Sequence, residues 1–227
     1  GLLVGQSMIT STKLKAQVKQ FQQFDIAVEN FKTMYGQLPG DTEYFTLSGC
    51  GTGDNDGTIE DSNDDQGASV TLFRCEISGF WNHLSQNGFG SITFSETPIG
   101  GVFQDDNAPK LKLGYGLSVA YGISGTNYYH NFNHVDTSAD LDSGTNQGAF
   151  LASEALALDS KMDDAVANTG DVVAMGGSGD EFFTATTNAA AGSAGCVITG
   201  NLGTYNVTYS SAEICQLRVN MLSQTTD

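Results

Sequence analysis

The stretch LKAQVKQFQQFDIAVENFKTMYGQLPG, residues 14–40, decides the fold of this chain. Its apolar side chains recur three or four residues apart, which is the spacing of one face of an α-helix. These side chains are Leu14, Val18, Phe21, Phe24, Val28, Phe31 and Tyr35. Gly36 and then Pro39-Gly40 supply the stop signal. We therefore predict an amphipathic helix that ends near Tyr35 and packs its apolar face on the rest of the chain.

The residues in front of Leu14 continue the helical pattern without a clear polar face. Their apolar members are Leu2, Leu3, Val4, Met8 and Ile9. Further along the helix, after Leu14, Gln17 and Gln20 are expected on its polar side. One helix over residues 1–35 would be about 50 Å long, which exceeds what a compact domain of this size can cover. Part of the helix is therefore expected to protrude or to pack on another molecule.

The composition excludes several classes of partner. The 227 residues carry 9 Lys and Arg against 26 Asp and Glu, a net charge of −17, and only 15% of them are charged. Nucleic-acid binding requires clustered basic side chains, so we expect no nucleic-acid partner, and an anionic membrane surface is disfavoured for the same reason. Residues 1–35 contain four lysines and two acids, so the acidic excess lies in the remainder. The two regions are expected to have different roles.

Four cysteines form an even set with no C-x-x-C motif and no histidine at zinc-ligand spacing. They are Cys50, Cys75, Cys196 and Cys215. We therefore expect disulfides and an oxidising compartment, with four buried free thiols as the alternative. Three pairings are open, and we favour the two that join neighbours in sequence. Each would close a short loop and stabilise the fold by roughly 3 kcal/mol.

The rest of the chain indicates an α+β fold with extensive polar loops. Helical spacing returns over 73–87 and around 151–162, and alternation typical of strands appears over 112–123, 171–175, 205–209 and 215–221. The small residues on one side of the 112–123 strand predict a close approach of another backbone. The stretch 176–195 has the composition of a loop. We expect an antiparallel sheet packed on the rear half of the leading helix.

The densest run of charge is acidic and lies between residues 54 and 65. DNDGTI, residues 54–59, resembles the centre of an EF-hand calcium loop, but the end positions in that register are Thr52 and Asn63, which are not carboxylates. The candidate calcium ligands are Asp54, Asp56, Thr58 and Asp61. A solvated acidic loop without an ion is the alternative interpretation.

No catalytic motif is recognisable in the sequence. It has no G-x-S-x-G, no phosphate-binding glycine loop followed by Lys and no H-E-x-x-H. His130 and His134 are four residues apart with Asp136 just beyond, but their surroundings have strand or loop composition, and we favour aromatic packing over a metal site. We therefore expect a protein that is not an enzyme.

Several segments together resemble the type IV pilin-like proteins, the group with a prepilin-type N-terminal cleavage and methylation segment. These segments are LVGQSMI (3–9), KLKAQV (13–18), YGQLPGD (35–41), GDNDGTI (53–59), FWNHL (80–84) and EALALDSKMDD (154–164). The resemblance implies that residues 1–38 are the rear of a longer filament-core helix, with further apolar helix preceding Gly1. It also implies that residues 39–227 form the globular head.

The function implied by the resemblance is that of a structural subunit of an extracellular type IV pilus-like filament. The precursor would be held in the inner membrane, trimmed there by a peptidase and handed to the assembly machinery. Copies of the chain would then pack through Leu2, Leu3, Val4, Met8 and Ile9, while Leu14, Val18, Phe21, Val28 and Phe31 anchor the head. The alternatives are a minor pilin, a type II secretion pseudopilin, a tip adhesin that binds glycans or surfaces, and a secreted monomer.

Overall fold

A computed structural model describes residues 2–61, 72–88, 93–95, 106–123, 125–133, 148–175, 195–198, 201–208 and 214–222, with the backbone alone for residues 2–9. The helices are α1 (Leu2–Tyr35), α2 (Cys75–Gln86) and α3 (Ala152–Met162). The strands are β1 (Thr46–Leu47), β2 (Gly51–Thr52), β3 (Leu117–Ile123), β4 (Thr126–Phe132), β5 (Val172–Met175), β6 (Val197–Ile198), β7 (Asn201–Tyr205) and β8 (Gln216–Asn220). The predicted α+β class with a leading helix and antiparallel sheets is confirmed.

Helix α1 is continuous over 34 residues and ends where the sequence predicts. Gly36 takes a left-handed φ of +73°, and its amide donates to the Lys32 carbonyl at 2.7 Å. A residue without a Cβ adopts this conformation without strain, so the helix terminates at Tyr35. No helix among the residues that the structure describes combines the length and the apolar character needed to cross a bilayer.

The main sheet has four strands in the order β3-β4-β8-β5, all antiparallel. β3 and β4 form a hairpin, whereas β8, the last strand described, lies between β4 and β5. Val219 of β8 is opposite Tyr129 on one side and Val172 on the other. This order joins strands that are far apart in the sequence, so the sheet forms only when residues 117–132, 172–175 and 216–220 come together.

Two predicted strands are displaced along the chain. β3 begins at Leu117 instead of residue 112, because Gly114 and Gly116 have positive φ angles that bend the backbone. The bend turns Tyr115 outward, where it is 66% exposed, and its amide donates to the Ala149 carbonyl at 2.8 Å. The strand predicted over 205–209 lies earlier, as β7, and ends at Tyr205. The predicted loop over 176–195 lies outside the described residues, apart from Gly195.

An aromatic cluster joins α1, α2 and the sheet. Phe24 of α1 lies 4.6 Å from Trp81 of α2 and 5.4 Å from Tyr129 of β4, measured between ring centroids. The Trp81 indole donates to the Ser118 carbonyl at 3.0 Å, and the Tyr129 hydroxyl donates to Asp25 Oδ1, also at 3.0 Å. The cluster therefore buries aromatic area and satisfies its polar atoms at the same time.

Both favoured disulfide pairings are confirmed. Cys50 is bonded to Cys75 and Cys196 to Cys215, which leaves no free cysteine. The first bond ties the turn between β1 and β2 to the first residue of α2, and the second ties the residue before β6 to the residue before β8. Each bond therefore joins two elements of the head, over 25 and 19 residues of chain.

Candidate functional site

The anchoring residues expected on α1 lie on the face that the head covers. Leu14, Phe21, Val28 and Phe31 are buried in the hydrophobic core, and Val18 packs against it. The helix is exposed on its other sides: Ile26 is 60% exposed and Met34 is 61% exposed. The rear of α1 therefore presents one apolar face to the head and scattered apolar side chains to solvent.

The part of α1 just before Leu14 is exposed. Among the residues whose side chains the structure describes, Leu14 is the first buried one, and the four before it, Thr10 to Lys13, are exposed. The expected filament-packing residues are Leu2, Leu3, Val4, Met8 and Ile9; their backbone is helical, and their side chains lie outside the described residues. Twelve residues of helix precede Leu14, a length of about 18 Å.

Two glutamines expected on the polar side of α1 instead face the head. Gln17 is fully buried, and its Oε1 accepts from the amides of Lys112 at 2.7 Å and Leu113 at 3.0 Å. Its Nε2 donates to Gln20 Oε1 at 3.0 Å, and Gln20 Nε2 donates to the Lys110 carbonyl at 2.9 Å. The backbone before β3 is bent, so the amides of Lys112 and Leu113 and the carbonyl of Lys110 do not pair with a neighbouring strand. The two glutamine side chains provide their hydrogen-bond partners.

An acidic cluster lies where the chain leaves α1. Gly40 has a φ of +87° and donates its amide to His83 Nδ1 at 3.0 Å, which holds the turn against α2. Gly53 donates to the Thr42 carbonyl at 3.0 Å, and a Cβ at residue 53 would lie only 2.4 Å from the Thr42 amide nitrogen. This close approach requires glycine, and it places Asp41 beside the DNDG turn.

The cluster consists of Asp41, Asp54 and Asp56, each of which has a carboxylate oxygen within 4.8 Å of the others. Asp41 is 1% exposed, Asp54 is partly buried and Asp56 is exposed, so the cluster runs from the interior to the surface. Two ionised carboxylates about 4.8 Å apart repel by roughly 3.5 kcal/mol at an effective dielectric constant of 20. The geometry is therefore costly unless a proton or a cation offsets the charge.

Burial, together with the neighbouring carboxylates Asp54 and Asp56, raises the pKa of Asp41 to about 7. Glu76 of α2 lies behind the cluster, fully buried, and burial together with the charge of Asp41 raises its pKa to about 9. Glu76 accepts from the Asp54 amide at 3.2 Å and from the Glu60 amide at 3.1 Å. It thus holds the loop in place from inside.

The structure groups only two of the four candidate calcium ligands. Asp54 and Asp56 are joined by Asp41, which the sequence reasoning missed because it lies far from the DNDG turn in the chain. Thr58 donates its amide to Asp56 Oδ1 at 2.7 Å and so supports a candidate ligand residue. Asp61 accepts from the Leu72 amide at 2.8 Å and does not belong to the cluster.

A second acidic group has a structural role. Asp159, Asp163 and Asp164 follow one another around the end of α3, with carboxylate oxygens within 4.8 Å of each other. Asp159 accepts from the Tyr205 hydroxyl at 2.8 Å and from the Ala165 amide at 3.0 Å. Asp163 accepts from two backbone amides, and Asp164 accepts from an amide and a hydroxyl. These acids hold the turn after α3 through hydrogen bonds.

His130 is a core residue in this fold. It is fully buried on β4, and its Nε2 lies 2.8 Å from Gln216 Oε1 of β8. Burial lowers its pKa to about 3, so the ring is neutral under ordinary conditions. His134 and Asp136, with which it could share a metal, lie outside the described residues.

Comparisons with known proteins give no match: no family model, no curated protein and no solved structure is significantly similar to this chain.

Proposed function

We propose that this protein is a structural subunit of an extracellular filament of the type IV pilus kind, assembled by packing of its N-terminal helices. The observation that carries the proposal is the placement of α1. The helix has 34 residues, and over the part whose side chains the structure describes, Thr10 to Lys13 are exposed and the head buries one face from Leu14 onward. In this proposal the apolar side chains of Leu2, Leu3 and Val4 are covered by neighbouring subunits.

Copies of the same helix are suitable neighbours. A contact between the front of one copy and a different surface of the next is heterologous, so it does not close into a dimer and instead continues as a helical fibre. The exposed Ile26 and Met34 extend this apolar surface along the rear of α1. In this proposal the protein has no enzymatic activity and its partners are copies of itself and the inner-membrane assembly machinery.

The two disulfides agree with an extracellular location, because such bonds persist in oxidising compartments. They also hold the head together independently of the front of α1, since all four cysteines follow residue 49. A subunit can therefore pass from membrane to filament with its head folded throughout.

The test is a set of charge substitutions at the front of α1, made in the native host. Leu3→Asp and Val4→Asp should abolish fibres while the melting temperature of the purified full chain stays within about 1 °C of wild type. A matched control is Tyr115→Asp, which places the same charge on an exposed aromatic of the head and should leave the fibres intact.

Electron microscopy of sheared cell-surface material provides the measurement. Fibres that persist in both helix variants would overturn the packing assignment. Bulk fibres built from this chain support a major subunit, whereas scarce protein at fibre ends would point to a minor pilin or tip adhesin. A chain that stays monomeric in the host at all concentrations would overturn the filament proposal.

A further inference from the structure

The acidic cluster of Asp41, Asp54 and Asp56 differs from the acidic group at the end of α3 in one respect. Asp41 is 1% exposed, and its Oδ1 is buried without a hydrogen-bond partner, although its Oδ2 accepts from the Gly57 amide at 2.9 Å. Buried polar atoms are nearly always paired, with protein, water or an ion. This orphaned oxygen belongs to a side chain that points into the cluster.

Asp41, the buried member of the cluster, forms no ion pair with a basic side chain of the described part of the chain. Among the residues that the structure describes, the ion pair joins Lys32 to Glu29, at 3.9 Å. Lys32 lines the neighbouring cleft, but its ammonium group is engaged with Glu29. The charge of Asp41 is therefore not offset by an ion pair.

The group at the end of α3 is an internal comparison. It has the same number of aspartates at the same separation, yet Asp159, Asp163 and Asp164 accept hydrogen bonds from amides and hydroxyls around them. The short distances between these carboxylates are explained by their hydrogen bonds to the turn after α3. Close carboxylates can thus be purely structural in this protein, and the orphaned oxygen of Asp41 is what distinguishes the first cluster.

We propose that Asp41, Asp54 and Asp56 bind a calcium ion. All the donors are oxygens, which selects a hard cation, and calcium tolerates irregular sets of six to eight oxygens at 2.3–2.6 Å. Two ligands on opposite sides of such an ion are about 5 Å apart, so the separation of up to 4.8 Å fits its coordination shell. Magnesium prefers a smaller, regular octahedron and is a poorer fit.

The surroundings of the cluster fit a partly hydrated ion. A cleft of 430 Å³ reaches Asp41 and Asp56 from the surface, which gives the ion an entry path and room for water ligands. The turn at Asn55 and Gly57, with φ angles of +61° and +92°, keeps the two neighbouring aspartates on the same side. A bound ion would cross-link the exit of α1 to the loop that Glu76 holds from inside.

The first experiment measures the thermal unfolding of the full chain in chelator and in roughly 0.01 to 10 mM calcium chloride, at constant ionic strength. With an affinity of the order of 10⁻⁴–10⁻³ M, typical of extracellular modules, the melting temperature should be higher by roughly 3–10 °C at the highest calcium concentration, and above the dissociation constant it should rise with the logarithm of the concentration. Magnesium chloride at the same concentrations should give a smaller rise. A flat response to calcium would overturn the proposal.

Variants then locate the ion. Asp56→Asn changes an exposed ligand, so it should leave the fold intact and weaken calcium binding, measured by titration calorimetry, by about tenfold or more. Asp41→Asn should do the same at the buried end; because that variant is at risk of misfolding, Asp56→Asn alone is sufficient. Asp164→Asn, an exposed member of the comparison group, is the matched control and should retain wild-type affinity.

A calcium response that is unchanged in Asp56→Asn, or that disappears in Asp164→Asn, would place the ion elsewhere and overturn the assignment. The measurements use the monomeric chain and need no assembly. Their failure would therefore leave the proposed filament function untouched, and the absence of fibres would leave the calcium result standing.

Discussion

Replacing Gln17 by leucine should cost this protein more stability than the polar character of the residue suggests. Leucine has a similar size but no acceptor, so the amides of Lys112 and Leu113, both bonded to Gln17 Oε1, lose their partner together. Gln20 also loses the donor to its Oε1. All of these groups lie between α1 and the bent backbone that precedes β3.

The magnitude follows from the burial of each group. An unsatisfied buried donor costs about 1–3 kcal/mol. The hydrogen bond from the Leu113 amide is buried, so its loss is expected to cost the upper part of that range. The Lys112 amide belongs to an exposed residue and can bind water instead, so its loss costs less. The gain from added apolar surface offsets about 1 kcal/mol. We expect the free energy of unfolding to fall by roughly 2–4 kcal/mol.

Urea unfolding followed by tryptophan fluorescence is the appropriate assay. Trp81 is the single tryptophan of the chain, is 2% exposed and lies between α1 and the sheet, so its emission reports the opening of this contact. Gln23→Leu is the matched control, because Gln23 is exposed on the same helix and should change stability by no more than about 0.5 kcal/mol. Equal effects of the two substitutions would refute the reasoning.

Three further predictions concern buried residues. Replacing Cys196 and Cys215 together by alanine should lower the free energy of unfolding by roughly 2–4 kcal/mol in urea, because the bond restricts the unfolded chain; no loss would mean that the loop is not constrained. Phe31→Ala should cost about 3–5 kcal/mol in the same assay, since Phe31 is fully buried and packs on Tyr35 at 4.6 Å; a loss below about 1 kcal/mol would contradict this packing. Burial lowers the pKa of His130 to about 3 from 6.5, so the unfolded state takes up a proton that the folded state does not, and stability present above pH 6.5 is lost as the pH falls. Between pH 6.5 and 5 this amounts to about 2 kcal/mol, and a His130→Asn variant should lose correspondingly less stability over the same range; identical pH profiles would exclude the histidine as the cause.

The candidate cation site shows where sequence reasoning stops. The DNDG turn is visible as a local pattern, and Asp54 and Asp56 can be selected from it. Asp61 is equally acidic and close in sequence, but in the fold it bonds to the Leu72 amide. Asp41 enters only because Gly53 lets two backbone segments approach closely, and no spacing rule predicts which distant segment a glycine will meet.

In the amphipathic helix α1, too, some features follow from the local sequence and others depend on tertiary contacts. The period of the apolar residues predicts its extent to Tyr35 and its buried face, because a helical repeat is a property of neighbouring residues. It does not predict that Gln17 and Gln20 are covered as well. Polar residues at the border of the apolar face are buried when the opposing surface has unpaired backbone groups, and that surface comes from residues 110–113.

By itself, the sequence determined the class of fold and the long leading helix and favoured the pairing of neighbouring cysteines, since these depend on short repeats and short loops. The tertiary structure alone decided the strand order β3-β4-β8-β5, the bend that shortens β3 and the meeting of Asp41 with the DNDG turn. The physical reason is that local patterns specify which face of an element is apolar, whereas the free energy of burying that face depends on partners that are distant in the chain.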